Sequence, residues 1–203
     1  MLTWTQYAEE IARQLAGLSV RDAAGAELAP DAGYAAWERM TLAVKAGRHV
    51  VYLAGNGASA SMASHMAADL AKNGRMHTQV LTDAPLLTAI GNDIDYESVF
   101  SFPLEIRANP GDMLVAISSS GGSPNLRKAI AVARRRRMAV VTVTSLRPDN
   151  PLRAAGDLNF YVPTGSYGHA ESTHAAVLHH WMDAMERHRD EPVPEAESPS
   201  LDA

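Results

Sequence analysis

The chain has 203 residues, of which 46% are hydrophobic and 20% are charged, so it is long enough for one domain with a buried core. Its formal net charge is −5, whereas nucleic-acid-binding domains are usually basic, so we expect no nucleic-acid partner. The absence of cysteine excludes disulfides and thiolate metal ligands.

The amino-terminal stretch MLTWTQYAEEIARQLAGL has no basic start followed by an apolar run, so we do not expect a signal peptide. No apolar run in the sequence approaches the ~20 residues of a membrane span. We therefore expect a cytoplasmic protein with no membrane partner.

Helical spacing of apolar side chains predicts a first helix, at Trp4, Tyr7, Ile11 and Leu15. The stretch DAAGAELAPDAG then predicts a loop, and YAAWERMTLAVKAG predicts a second helix.

Beyond these helices, short apolar runs alternate with helical stretches. The runs are HVVYLAG, HTQVLT, DMLVAIS, AVVTVTS and LNFYVP. Runs that are apolar on both faces suit parallel strands covered by helices, and their alternation with helices implies right-handed βαβ units. The sequence therefore predicts an α/β fold: a doubly wound, mostly parallel five-stranded sheet flanked by helices, with extra N-terminal helices. We expect one domain over residues 1–188 and a disordered, acidic, proline-rich tail over residues 189–203.

Two loops rich in glycine and serine follow predicted strands: GNGASAS at 55–61 and SSSGGSPN at 118–125. Open parallel sheets bind ligands beyond the carboxyl ends of their strands, where glycines, hydroxyls and helix N–H groups can surround a phosphate. Each loop alone is equally well explained as a simple turn, but the pair favours phosphate binding. Neither loop matches a Walker A or GxGxxG motif, which argues against a dinucleotide site.

Ionisable side chains share faces of two predicted helices. His65 and Asp69 are spaced i, i+4, and Glu171 and His179 lie about 80° apart around the last helix. Such pairs can form a divalent metal site or an acid–base site, although spacing alone favours ordinary surface or core roles. The run ARRRR at 133–137 is explained either as a nucleic-acid patch or, as we favour, as cations at a helix end.

Five stretches together resemble the sugar isomerase (SIS) domain family, and within it the phosphoheptose isomerases. They are GNGASASMASHMAADL, LTAIGNDIDYESVFS, GDMLVAISSSGGSPNLRKAIAVAR, MAVVTVTS and AESTHAAVLHH. The resemblance covers most of residues 1–188 and keeps the order of the motifs. It implies a homotetramer with active sites at subunit interfaces.

The resemblance also implies functional residues. The implied substrate-binding set is Asn56, Gly57, Ser59, Asp93, Ser118, Ser119, Ser120, Ser123 and Glu171. Asp69 and His179 correspond to the catalytic acid–base groups. The implied ligands of zinc or another divalent metal are His65, Asp69, Glu171 and His179.

This chain departs from the family pattern at several positions. Asp69 stands where the family has Glu, and Glu171 stands where it has Gln. The resulting two histidines and two carboxylates suit zinc or another divalent ion better than the family's own set. An expected arginine is missing, with Lys72 or Arg75 nearby, and the loop TGSYGHAE is one residue shorter than the family's.

The expected function is a ketose–aldose isomerase that converts sedoheptulose 7-phosphate to glycero-manno-heptose 7-phosphate through an enediol(ate). Two alternatives remain open at this point. One is an isomerase of a longer ketose phosphate, such as an octulose phosphate, in natural-product sugar biosynthesis. The other is a non-catalytic SIS protein that binds the replication initiator DnaA or senses sugar phosphates.

Overall fold

The structure is a computed structural model that describes residues 2–191. The helices are α1 (Trp4–Ala16), α2 (Pro30–Ala46), α3 (Ala58–Lys72), α4 (Ala84–Asp93), α5 (Ser101–Arg107), α6 (Pro124–Arg135) and α7 (Tyr167–Arg187), with 3₁₀ turns at Tyr96–Ser98 and Pro151–Ala154. The strands are β1 (Ser19–Asp22), β2 (Glu27–Leu28), β3 (Val50–Gly55), β4 (His77–Val80), β5 (Met113–Ser118), β6 (Ala139–Thr144) and β7 (Leu158–Tyr161).

The sheet has the strand order β2-β1-β7-β6-β5-β3-β4. Strands β3 to β7 are the five predicted apolar runs, and all pairs among them are parallel. The prediction of a doubly wound, mostly parallel α/β fold is confirmed. Every residue of β5 is buried, as expected for a central strand covered on both faces.

The predicted count of five strands is wrong, because the sheet has seven strands among residues 2–191. The stretch predicted as a loop contains β2 and the beginning of α2. Strands β1 and β2 form a short hairpin that adds antiparallel to β7, with Val20 opposite Phe160. The Asp22 carboxylate accepts hydrogen bonds from the N–H groups of Ala24 and Ala26, which closes the turn.

Helices cover both faces of the sheet, and a buried cluster lies on each side. On one face, α2, α3 and α7 pack around Trp37 and Trp181, whose rings stack with centroids 4.3 Å apart. On the other face, α4, α5 and α6 enclose a second cluster around Phe100 and Leu104. Alternate residues of β3 and β5 point into the two clusters, as the pleat of a strand requires.

Two sequence expectations concern the ends and the surface of the fold. Helix α7 ends at Arg187, and residues 192–203 of the predicted tail lie outside the described residues, so the domain boundary and the tail's disorder stay predictions. None of the helices described between residues 2 and 191 is long and apolar enough to cross a membrane.

Arginines of the run 133–137 pair with acidic residues: Arg134 with Asp157, and Arg135 and Arg136 with Glu105.

Candidate active site

The two serine-rich loops meet because β3 and β5 are neighbouring parallel strands and each loop leaves the carboxyl end of its strand. Between them lies a cavity of about 330 Å³, which we call the serine pocket. Its lining residues are Asn56, Gly57, Ala58, Ser59, Ile117, Ser118, Ser119, Ser120, Ser123, Tyr167 and Glu171. The structure thus brings together all of the predicted substrate-binding residues except Asp93.

Local backbone geometry shapes both loops for close approach to a ligand. In the first loop Gly57 has a φ of 57°, and a Cβ at Gly55 would lie 2.6 Å from the side chain of Ser59. Both positions therefore favour glycine. In the second loop the Ser118 hydroxyl accepts a hydrogen bond from the N–H of Gly121 (3.1 Å) and lies 3.3 Å from the Ser123 hydroxyl.

Ser123 occupies the N-cap position of α6, as its place before Pro124 predicts, but its side chain does not cap the helix. The hydroxyl lines the serine pocket instead. The pocket therefore combines serine hydroxyls with the positive end of a helix, which is a suitable environment for a phosphate.

No lysine or arginine is among the residues that line the serine pocket. Lys72 and Arg75, the two candidates for the missing family arginine, lie at the far end of α3 from the first loop. Arg75 forms an ion pair with Asp190 (3.3 Å). Within the described residues, recognition of an anion in this pocket falls to hydroxyl and N–H donors.

A second group of polar side chains lies where α3 packs on α7. Among the described residues, His65, Asp69 and His179 each offer a ligand atom, and these three atoms lie within 4.8 Å of one another. We call this group the His–Asp–His cluster. His65 Nε2 is 3.1 Å from a carboxylate oxygen of Asp69, and the two imidazole rings have centroids 5.4 Å apart.

The His–Asp–His cluster has the right chemistry for a divalent metal. His179 donates its Nδ1–H to the carbonyl of Ala175 (2.8 Å), so the lone pair of its neutral ring is on Nε2. Two imidazoles and one carboxylate form a known set of zinc ligands, which leaves a fourth position for a water or a substrate oxygen. The residues present therefore fit zinc, and the identity of the metal stays a prediction.

Glu171 was predicted as a fourth metal ligand, but the structure places it in the serine pocket. It lies eight residues before His179 on α7, which is ~12 Å along a helix with a rise of 1.5 Å per residue. The prediction considered only the angle between the two residues around the helix, whereas the same spacing of eight residues also fixes this axial distance. The structure does not bring Glu171 into the His–Asp–His cluster of its own chain.

Asp93 was predicted to contact the sugar, but it is the exposed last residue of α4 and does not line the serine pocket. Its carboxylate accepts a hydrogen bond from the side chain of Asn92 (2.7 Å). Tyr167, in contrast, lines the pocket and was missed by the sequence analysis. Its spacing of four residues from Glu171 on α7 was the available signal.

A further histidine of α7, His174, belongs to the core. It is fully buried, and its Nε2 lies 2.7 Å from the hydroxyl of Ser145. Burial lowers the pKa of His174 from 6.5 to about 4, so its imidazole is neutral at pH 7.

The sheet and the serine pocket define a SIS-domain protein, and the family model described as SIS domain matches residues 6–145. The solved structure of phosphoheptose isomerase GmhA from Neisseria gonorrhoeae aligns with a TM-score of 0.71 and 30% identity, over 75% of this chain and 85% of that one. A phosphoheptose isomerase of Akkermansia muciniphila is 33% identical over 185 residues, which is 88% of this chain and 96% of the relative. One from Geobacter metallireducens is 35% identical over 187 residues, covering 88% and 97%. The chain therefore belongs to the phosphoheptose isomerase family of SIS-domain proteins.

Proposed function

We propose that the protein is a ketose–aldose isomerase that converts sedoheptulose 7-phosphate into glycero-manno-heptose 7-phosphate. The observation that carries this proposal is the serine pocket, in a chain that belongs to the phosphoheptose isomerase family. Helix α3 begins at the pocket and carries His65 and Asp69 on its later turns, so the phosphate site and the ionisable groups share one rigid element.

The serine pocket holds the phosphate of the substrate. Hydroxyl groups of Ser118, Ser119, Ser120 and Ser123 and the backbone N–H of Asn125, in the first turn of α6, donate hydrogen bonds to its oxygens. The phosphate fixes the sugar so that its first two carbons reach the ionisable groups, which reduces the entropy cost of the chemical step.

Isomerisation moves a proton between C1 and C2 through an enediol. In the protein without a metal ion, the carboxylate of Asp69 takes the proton from C1 while the imidazolium form of His179 protonates the oxygen on C2, and the enediol forms. Asp69 then returns a proton to C2 while His179 removes the proton from the oxygen on C1, which gives the aldose. Each group ends in its original state, so no redox cofactor is needed.

We also propose that His65, Asp69 and His179 hold zinc or another divalent ion. With a metal ion bound, Nε2 of His179 would be one of its ligands. The metal would then polarise the carbonyl group and stabilise negative charge on the neighbouring oxygens in place of the imidazolium. We further propose that the protein is a cytoplasmic homotetramer with active sites at its subunit interfaces.

The first test is proton NMR of the purified protein with sedoheptulose 7-phosphate in D₂O, after chelation and again after addition of zinc. We expect solvent deuterium at C1 or C2 and the appearance of the aldose, with faster exchange when zinc is present. Exchange at full rate in the chelated protein would exclude the metal from the reaction.

Variants of the proposed acid–base groups complete this test. Asp69→Asn and His179→Ala are each expected to lower turnover by at least roughly 100-fold, the usual contribution of a general acid or base. The matched controls are Asp183→Asn and His180→Ala, which remove the same groups from exposed positions on α7. If the protein binds sedoheptulose 7-phosphate but no deuterium enters it, a sugar-phosphate sensor is favoured.

If deuterium enters only an eight-carbon ketose phosphate, that longer sugar is the substrate.

A further inference from the structure

Asn56, at the edge of the serine pocket, is held by a reciprocal amide pair from a different helix. Its Nδ2 donates to Oδ1 of Asn125 (3.0 Å), and Nδ2 of Asn125 donates back to Oδ1 of Asn56 (2.9 Å). Asn125 lies in the first turn of α6 and is 2% exposed, whereas Asn56 is partly exposed. The pair ties the loop after β3 to the helix that follows β5.

The orientation of both amides follows from a backbone group. The N–H of Leu126 donates to Oδ1 of Asn125 (2.9 Å), so the oxygen of that amide must lie on this side. The amide nitrogen of Asn125 is then directed at Asn56, where only an oxygen can accept its hydrogen bond. The backbone of α6 thus sets which atom of Asn56 is oxygen and which is nitrogen.

Tyr96 completes the bonding of Asn56. The tyrosine hydroxyl donates to Oδ1 of Asn56 (3.2 Å), and this oxygen then has both of its lone pairs in use. The Nδ2 group of Asn56 has two N–H bonds, of which Asn125 uses one. The remaining N–H belongs to a residue that lines the serine pocket. Asn56 therefore offers a ligand a donor and no acceptor.

We infer that Asn125 and Tyr96 are positioning residues, which fix the Asn56 side chain so that its free N–H donates to an oxygen of the bound sugar phosphate. The inference rests on the proposed function for the identity of that ligand. Without the two partners, the Asn56 amide rotates and presents its carbonyl oxygen to an anion for part of the time, which opposes binding.

The chain offers a test in which folding is not at risk. Tyr96 is 63% exposed, and Tyr96→Phe removes only the hydroxyl. We expect the KM for sedoheptulose 7-phosphate to rise several-fold in Tyr96→Phe and about tenfold in Asn125→Ala, as for a lost hydrogen bond to a charged group, with kcat changing much less. Asn159→Ala is the control, because Asn159 is an equally buried asparagine whose partners lie away from the pocket.

A double-mutant cycle separates positioning from a purely structural role. If Asn125 acts through Asn56, then Asn125→Ala will leave the KM of an Asn56→Ala protein unchanged within about twofold. Equal increases in KM in both backgrounds would overturn the inference, and so would an unchanged KM in both Tyr96→Phe and Asn125→Ala.

A separate experiment distinguishes failure of the proposed function from failure of this inference. If the wild-type protein neither binds nor converts sedoheptulose 7-phosphate, inorganic phosphate is titrated while the side-chain amide signals of Asn56 are followed by ¹H–¹⁵N NMR. The inference predicts that phosphate shifts these signals, and that Tyr96→Phe weakens the phosphate affinity. Signals of Asn56 that do not respond to phosphate would overturn the inference.

Discussion

At the scale of single residues, burial separates two histidines of α7, one in the His–Asp–His cluster and one in the core. His179 is half-buried and keeps a free Nε2 lone pair beside Asp69. His174 has no exposed surface, and its Nδ1 has no hydrogen-bond partner among the described residues. A proton on that ring would be a buried, unpaired charge, so His174 contributes to packing and to the bond with Ser145.

The low pKa of His174 makes a prediction about acid stability. Its folded-state pKa of about 4 lies below the ordinary value of 6.5, so the unfolded chain binds this proton more readily. The stabilising contribution is complete above pH 6.5 and is lost as the pH falls towards 4. It amounts to about 2 kcal/mol between pH 7 and pH 5.

This contribution is measured by denaturant unfolding at several pH values for the wild type and for His174→Gln, which keeps a polar group near Ser145. We expect the difference in unfolding free energy between the two proteins to shrink as the pH falls. A difference that stays constant from pH 7 to pH 4.5 would show that His174 does not titrate as its burial requires.

At the scale of elements, the loop between β5 and α6 depends on one glycine. Gly121 has a φ of 61°, and a Cβ there would lie 1.9 Å from Oδ1 of Asn150, a buried side chain that accepts a hydrogen bond from the N–H of Arg153. At the next residue, Gly122, a Cβ would meet nothing closer than 3.9 Å. The two neighbouring glycines therefore have very different tolerance for a side chain.

We predict that Gly121→Ala lowers the unfolding free energy by about 2–4 kcal/mol, from a left-handed backbone and a clash in a packed region. Gly122→Ala is expected to change it by less than about 0.5 kcal/mol. Urea denaturation of both variants checks this. Equal stabilities would mean that the loop rearranges at little cost and that Asn150 does not constrain it.

The strands and helices also show which features could be predicted from the sequence and which could not. The apolar runs of β3 to β7 identified the parallel sheet because burial on both faces leaves a strong local pattern. Strand β2 has two residues, too few for any periodicity, and it exists only through pairing with β1. Helical spacing likewise predicted the shared face of His65 and Asp69, which is local. It could not show which of Glu171 and His179 meets that face, because that depends on how α3 lies against α7.

At the scale of the whole molecule, exposed aromatic side chains connect α1 to the beginning of α7, which borders the serine pocket. Trp4 is 80% exposed and stacks on Tyr7, whose ring lies 4.6 Å from that of His169 near the beginning of α7. Tyr167, a pocket residue, is 61% exposed on the same helix. An assembly that covers Trp4 would therefore also border the pocket, which supports the proposed homotetramer with active sites at subunit interfaces.

Light scattering after size exclusion tests this assembly, and we expect a mass near four times the 21.8 kDa of one chain. Trp4→Glu should lower both this mass and the turnover, because a buried carboxylate without a partner opposes association. Ile106→Glu is the matched control: Ile106 is 70% exposed on α5, across the sheet from α1 and α7, so it should alter neither property. A wild-type mass of one chain would refute the tetramer. Dissociation by Ile106→Glu alone would place the contact on α5 and contradict an interface at Trp4.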